Sequence, residues 1–228
     1  MTKKIIIALI IIIPVTIKGQ FIDCYGIKTG LGLSNQYWNY KDPTFSDFSD
    51  WKDSKVAFLG QFNAEKEIGK NFAIRIALGY IQKGYNDDIS GLSDSGDPIF
   101  IQDNTVRLHY LNFDLATKLI PFRFHRYPYV ILGVRADYLV DYKGVNVEYD
   151  GNEYEIDTDL FEQYNKPTYG LICGLGFSFA DAAYIEIEYN PGINEVFESD
   201  NLNIKDYYLN ISFGVNINKI RLIPLNYE

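Results

Sequence analysis

Strict alternation of apolar and polar side chains is the feature that most narrows the folds open to this chain. Near the C-terminus, Tyr207, Leu209, Ile211, Phe213, Val215 and Ile217 interleave with Tyr208, Asn210, Ser212, Gly214 and Asn216. Residues 169–179 repeat the pattern, with Tyr169, Leu171, Cys173, Leu175, Phe177 and Phe179 in one set and Gly170, Ile172, Gly174, Gly176 and Ser178 in the other. Successive side chains of a strand point to opposite faces, so a period of two marks a sheet with one apolar and one polar face. Segments 25–34, 56–65, 72–83, 109–119, 129–140 and 183–189 alternate in the same way. Eight strands follow, and neither of the two clearest segments carries a helical period.

The contents of the second face decide what the sheet encloses. It holds Gly, Ala and charges of both signs, which suits a narrow polar lumen better than a soluble core. A transmembrane barrel puts its apolar face toward lipid and its polar face inside, with tilted strands of about ten residues. Lipid supplies no hydrogen-bond partners, so such a sheet has to close on itself. The connectors fit this reading. Residues 66–71, 120–128 and 180–182 are short, whereas 35–55, 84–105, 141–168 and 190–206 are long. Short periplasmic turns and long external loops are the pattern of outer-membrane barrels. The expectation is an all-β, eight-stranded, antiparallel, up-and-down transmembrane β-barrel with both termini in the periplasm. A soluble secreted sandwich or ligand-binding barrel is the alternative.

The first twenty residues set the route. Lys3 and Lys4 precede the apolar run Ile5 to Val15, and Gly19 supplies a small residue at its end. That is the layout of a cleaved signal peptide, and the run is short for a membrane-spanning helix. Residues 1–20 are therefore read as the signal peptide and 21–228 as the barrel domain, exported to the outer membrane. Asp23 stands where a lipoprotein needs a small residue before Cys24, which argues against lipidation. The net charge is −9 and the pI about 4.8, excluding the basic stripe a nucleic-acid binder needs. Two cysteines and two histidines leave little for disulfide frameworks or metal chemistry, and no cofactor is expected.

Several segments resemble a known family. Tyr80-Ile81-Gln82-Lys83-Gly84 closes a strand like the third strand of porin/PorT-like outer-membrane β-barrel proteins, abundant in Bacteroidetes. Tyr110 to Lys118 is similar to that family's Tyr-Leu-Glu-Ile-Pro-Leu-Leu-Leu-Lys strand, with Asn112 and Asp114 in place of its Glu and Pro. Pro128 to Gly133 resembles its fifth strand. The resemblance implies an integral outer-membrane protein without assigned chemistry, some relatives being linked to protein secretion. The chain departs from barrels that end on an aromatic, since it ends Asn226-Tyr227-Glu228.

Candidate sites follow from the strand phases. The inward set contains Lys28, Arg75, Lys83, Lys118 and Arg135 with Glu65, Asp114, Asp137, Glu186 and Glu188. Two readings compete: a selectivity lining for a narrow solute or ion channel, or a salt-bridged plug. Eight strands leave room only for side chains, and balanced charges can pair, so the plug is preferred. In the long connectors, Trp38, Tyr40, Phe45, Phe48 and Trp51 are candidates for protein or carbohydrate contact, with the aromatic girdle as the other account of Trp38 and Tyr40. Loop 141–168 holds eight acidic residues, but Asp150-Gly151-Asn152-Glu153 lacks the EF-hand spacing, so a solvated surface is expected. Ser90, Ser93 and Ser95 precede His109 without a spacing that supports a catalytic dyad, and no enzyme is expected. Cys24 and Cys173 fall on opposite phases and should both be free thiols. The expected role is structural or interactive: a monomer held by outer-membrane lipid.

Overall fold

A computed structural model describes residues 22–42, 52–87, 100–121, 126–149, 152–156, 158–179 and 182–219. Its strands, in chain order, are β1 (Cys24–Tyr40), β2 (Lys52–Ile68), β3 (Phe72–Asp87), β4 (Phe100–Asp103), β5 (Thr105–Leu119) and β6 (Arg126–Lys143). There follow β7 (Val145–Tyr149), β8 (Asn152–Ile156), a short helix α1 (Thr158–Glu162), β9 (Pro167–Phe179), β10 (Ala183–Pro191), β11 (Phe197–Glu198) and β12 (Leu202–Asn216). Eight of them, β1, β2, β3, β5, β6, β9, β10 and β12, pair antiparallel with their neighbours in that order. β12 pairs back onto β1 from Gly26↔Asn216 to Tyr40↔Leu202, so the sheet is a closed eight-stranded barrel. β4, β7 and β8 form a separate three-stranded sheet within the long connectors, and β11 adds to the outer end of β12.

The strands carry two opposite codes along their length. On β5, Leu111, Phe113 and Leu115 point outward and are about half exposed, while Asn112 and Asp114 are buried inside. Toward the other end of the same strand the pattern inverts. Val106, Leu108 and Tyr110 are fully buried inside, and Arg107 and His109 occupy the outer face. The solvent changes from lipid to water along the strand, so the apolar face has to switch sides.

The inverted ends enclose a second core. Trp38, Leu59, Ile81, Tyr85, Leu108, Tyr110, Phe161, Tyr164, Val196, Ile204 and Tyr208 pack together across the barrel, with Phe161 and Tyr164 arriving from α1 and the turn after it. Burying such side chains contributes about 1.5–3 kcal/mol apiece. Trp38 packs edge-on against Tyr85 with ring centroids 5.9 Å apart, and Lys52 sits 4.6 Å over the Trp38 ring. This aromatic core caps the outer mouth of the barrel.

Segment 25–34 therefore extends to Tyr40, and the connectors expected over 35–55, 84–105 and 190–206 are in good part strand. Antiparallel neighbours continue each other's hydrogen bonds past the lipid boundary, where the lipid code no longer marks them. At the opposite end the β2–β3 turn is tight, with Gly69 at φ 70°, a left-handed conformation that side chains disfavour. Asp23 fastens this end, accepting the Glu67 N–H at 2.8 Å and the Lys66 ammonium at 3.2 Å.

Candidate functional site

Inward-facing charges fill the lumen in two tiers. The structure places all ten sequence-derived positions inside, each at most 6% exposed. In the inner tier Arg75 is the hub. Its Nε donates to Glu65 Oε1 at 2.7 Å, while Nη1 and Nη2 clamp the two oxygens of Glu186 at 2.7 and 2.5 Å. Lys118 donates to both oxygens of Glu65 at 2.9 and 3.0 Å. Lys28 reaches Glu188 at 2.8 Å and Glu186 at 3.3 Å. Tyr129 donates its hydroxyl to Glu186 Oε1 at 2.7 Å, and Asn63 donates to the Tyr184 hydroxyl at 2.6 Å.

Glycines make room for these aromatic rings. Tyr129 lies opposite Gly176 in the β6–β9 register, and Tyr184 lies opposite Gly214 between β10 and β12. A Cβ at Gly176 would sit 2.2 Å from the Tyr129 ring, and one at Gly214 would sit 2.0 Å from the Tyr184 ring. The glycines thus do more than narrow the lumen: each provides the floor on which a buried tyrosine lies. Lys118 lies 4.2 Å over the Tyr129 ring, and Arg75 lies 5.1 Å over Tyr184.

The outer tier is built around two pairs. Arg135 holds Asp114 bidentately, Nε to Oδ1 and Nη2 to Oδ2, both at 2.7 Å, with Gln61 donating to Asp114 at 2.6 Å. Lys83 donates to Asp137 at 2.7 Å and to Asp206 at 3.4 Å. Gln36 donates to Asp206 at 3.0 Å and accepts from Trp38 and Tyr164, which ties the tier to the aromatic cap. Charged groups need such partners to tolerate burial. Among the described residues the buried charges are Lys28, Lys55, Arg75, Lys83, Lys118 and Arg135 against Glu65, Asp114, Asp137, Glu186, Glu188 and Asp206. The signs balance.

Sequence reasoning missed Asp206 and Lys55. Both keep the inward parity of their strands, Asp206 with Tyr208 and Asn210, Lys55 with Ala57, Leu59 and Gln61. Carrying the phase outward through the aromatic positions would have found them. Trp38 needs a correction. It is not a loop side chain offering a contact surface but an inward residue of β1, 7% exposed in the cap, and Tyr40 packs half-buried against the same core. Phe45, Phe48 and Trp51 lie outside the described residues, as do Ser90, Ser93, Ser95 and His125. His109 is on the outer wall, hydrogen-bonded through Nδ1 to the Tyr80 hydroxyl. Cys24 is buried, Cys173 exposed, and both are free.

A closed antiparallel barrel with a lipid-facing apolar belt and an ion-paired interior is the architecture of an integral outer-membrane protein, crossing the membrane with strands. The chain belongs to the family described as outer membrane protein beta-barrel domain, whose model matches residues 25–198. Among solved structures it is similar to Neisserial surface protein A, at 11% identity over 84% of this chain and 96% of that one, with a TM-score of 0.43. It is also similar to Ail, the attachment invasion locus protein of Yersinia pestis, at 10% identity, 83% and 97% coverage and a TM-score of 0.35. The N-terminal β-barrel domain of Pseudomonas aeruginosa OprF gives 9% identity, 83% and 96% coverage and a TM-score of 0.31. No curated protein matches the chain.

Proposed function

We propose that the protein acts as a sealed outer-membrane barrel whose role is structural or interactive, exercised by the parts that stand outside the membrane. The observation that carries this reading is the filled interior: two tiers of paired charges under an aromatic cap occupy the space a solute would need. The long connectors carry most of the chain's acidic residues, and within them β4, β7 and β8 pair into a sheet of their own. That region is the surface offered to a protein or carbohydrate partner. Full closure leaves no unpaired strand edge in the membrane to recruit a second copy, which supports a monomer.

The test is conductance. Purified full-length protein inserted in planar lipid bilayers should give no sustained single-channel steps. Reproducible steps that depend on protein dose would overturn the reading in favour of a narrow channel.

Two finer statements belong to the same proposal. Residues 1–20 are a signal peptide removed on export, which N-terminal sequencing of the membrane-extracted protein checks; a mature chain starting at Met1 would contradict it. The Tyr80 to Gly84 and Tyr110 to Lys118 motifs support kinship with the PorT-like barrels of Bacteroidetes. The position of Gly84 gives that motif a physical reason. Its φ of 136° and a Cβ site only 2.1 Å from the Val106 carbonyl oxygen exclude any larger residue.

A further inference from the structure

The closed barrel skips one rung of its ladder between β9 and β10. Their ladder runs in register from Ala183↔Phe179 to Tyr189↔Cys173 and then stops, with only the isolated bridge Gly170↔Gly192 beyond it. Pro191 has no N–H to continue the ladder. Hydrogen bonding to β9 resumes only at the Ile193 N–H, which donates to the Tyr169 carbonyl at 2.7 Å, while the Gly192 N–H faces β12 and donates to the Asp206 carbonyl at 2.8 Å. Beside this break lies a cavity of about 10 Å³ whose lining includes Arg135, Asp137, Thr168 and Asn190.

These four side chains are at most 4% exposed. Each still has polar atoms that make no hydrogen bond among the described residues: Arg135 Nη1, Asp137 Oδ1, Thr168 Oγ1, and both Nδ2 and Oδ1 of Asn190. They come from three strands, β6, β9 and β10, and line one small space. Buried polar atoms in native structures almost always find a partner, protein or water.

We propose that this cavity is a binding site for one internal water molecule. Arg135 Nη1 and Asn190 Nδ2 supply donors, and Asp137 Oδ1 with Thr168 Oγ1 supply acceptors, which is the four-bond set a water satisfies. The size admits a single water and nothing larger. The charge argues against an ion, because the lining carries Lys83 and Arg135 against Asp137 and Asp206, so either sign of ion would add a net buried charge. The water completes the outer tier where the β9–β10 ladder gives way.

The experiment uses the full barrel refolded in detergent micelles, with a boiling-dependent gel shift confirming closure of every variant. Oxygen-17 relaxation dispersion counts long-lived internal waters. Wild type should exceed the Thr168→Val/Asn190→Leu variant by one; equal counts overturn the proposal. A crystal structure should show a water at roughly 2.7–3.2 Å from at least three of the named atoms. A bromide soak giving an anomalous peak in the cavity would overturn it in favour of an anion, as would density with Asn190 bonded directly to Arg135 Nη1. Should the double variant not close, Thr168→Val alone keeps the volume and removes one acceptor. It should shorten the residence of that water, and an unchanged residence time counts against the site.

Discussion

Replacing Arg135 by leucine isolates one carboxylate inside the lumen. Asp114 is 3% exposed and receives two bonds of 2.7 Å from the guanidinium. Without them it keeps the neutral amides of Gln61, at 2.6 Å, and Asn112, at 3.3 Å. Removing one partner of a buried pair costs about 3–5 kcal/mol, because the other charge stays desolvated and uncompensated. That is roughly a hundred- to several-thousandfold in the folding equilibrium. Asp114→Leu should cost a similar amount, since Arg135 then loses its bidentate partner and keeps only the looser attraction of Asp137 and of Glu188, the latter at 4.0 Å. The double variant strands neither group and should fall well short of the sum, giving a coupling of at least about 2 kcal/mol. Reversible urea unfolding in lipid vesicles, followed by Trp38 fluorescence and by the folded gel band, measures all three. Single changes below about 1 kcal/mol that simply add are the behaviour of a hydrated pair. They would refute the closed, desolvated lumen.

Three further outcomes follow from the geometry. Gly176→Ala should destabilise the barrel by about 1–3 kcal/mol through collision with the Tyr129 ring, whereas Gly60→Ala, whose Cβ meets Phe58 only at 3.5 Å, should be near neutral in the same unfolding assay; equal effects would contradict the account of the tyrosine floor. Leu175→Arg places a charge in the lipid belt at a residue 64% exposed to the outer face and should cost about 2–4 kcal/mol in vesicles, and a neutral result would mean that this face does not meet lipid. The Glu67 N–H, and then Lys66, hold the Asp23 carboxyl below its usual range. Its contribution to fastening the β2–β3 end is therefore present above the ordinary Asp pKa of about 3.9 and lost as pH falls through the lower folded value. Carboxyl NMR titration should find that depressed midpoint, and one at or above the ordinary value would contradict it.

The lipid-facing half of each strand was legible because one solvent imposes one code. From Tyr25 to Leu33, or Leu111 to Leu119, every second residue is apolar except Thr29 and Thr117, and the remaining positions then name the lumen without any structure. Legibility ended where the code inverts. Past Leu33 the inward residues become Gln36 and Trp38, and before Leu209 they are Ile204, Asp206 and Tyr208, so the same strand reads as an aromatic loop. Trp38 was misplaced for that reason, and Asp206 and Lys55 were lost with it. The pairing of the charges was not legible either. Arg75 meets Glu186 across 111 residues of sequence, a choice set by the stagger of the closed barrel and not by any local spacing. The β4–β7–β8 sheet has no period-two run long enough to announce it.

The most direct test of a closed barrel embedded in the outer membrane is the gel migration of the outer-membrane fraction, unheated and boiled, after an alkaline carbonate wash. The account predicts that the protein stays in the pellet and shifts mobility only on boiling, since a closed hydrogen-bonded sheet resists detergent until heated. A single unchanged band released into the carbonate wash would contradict it, and the lipid-facing belt and the sealed lumen would fall together.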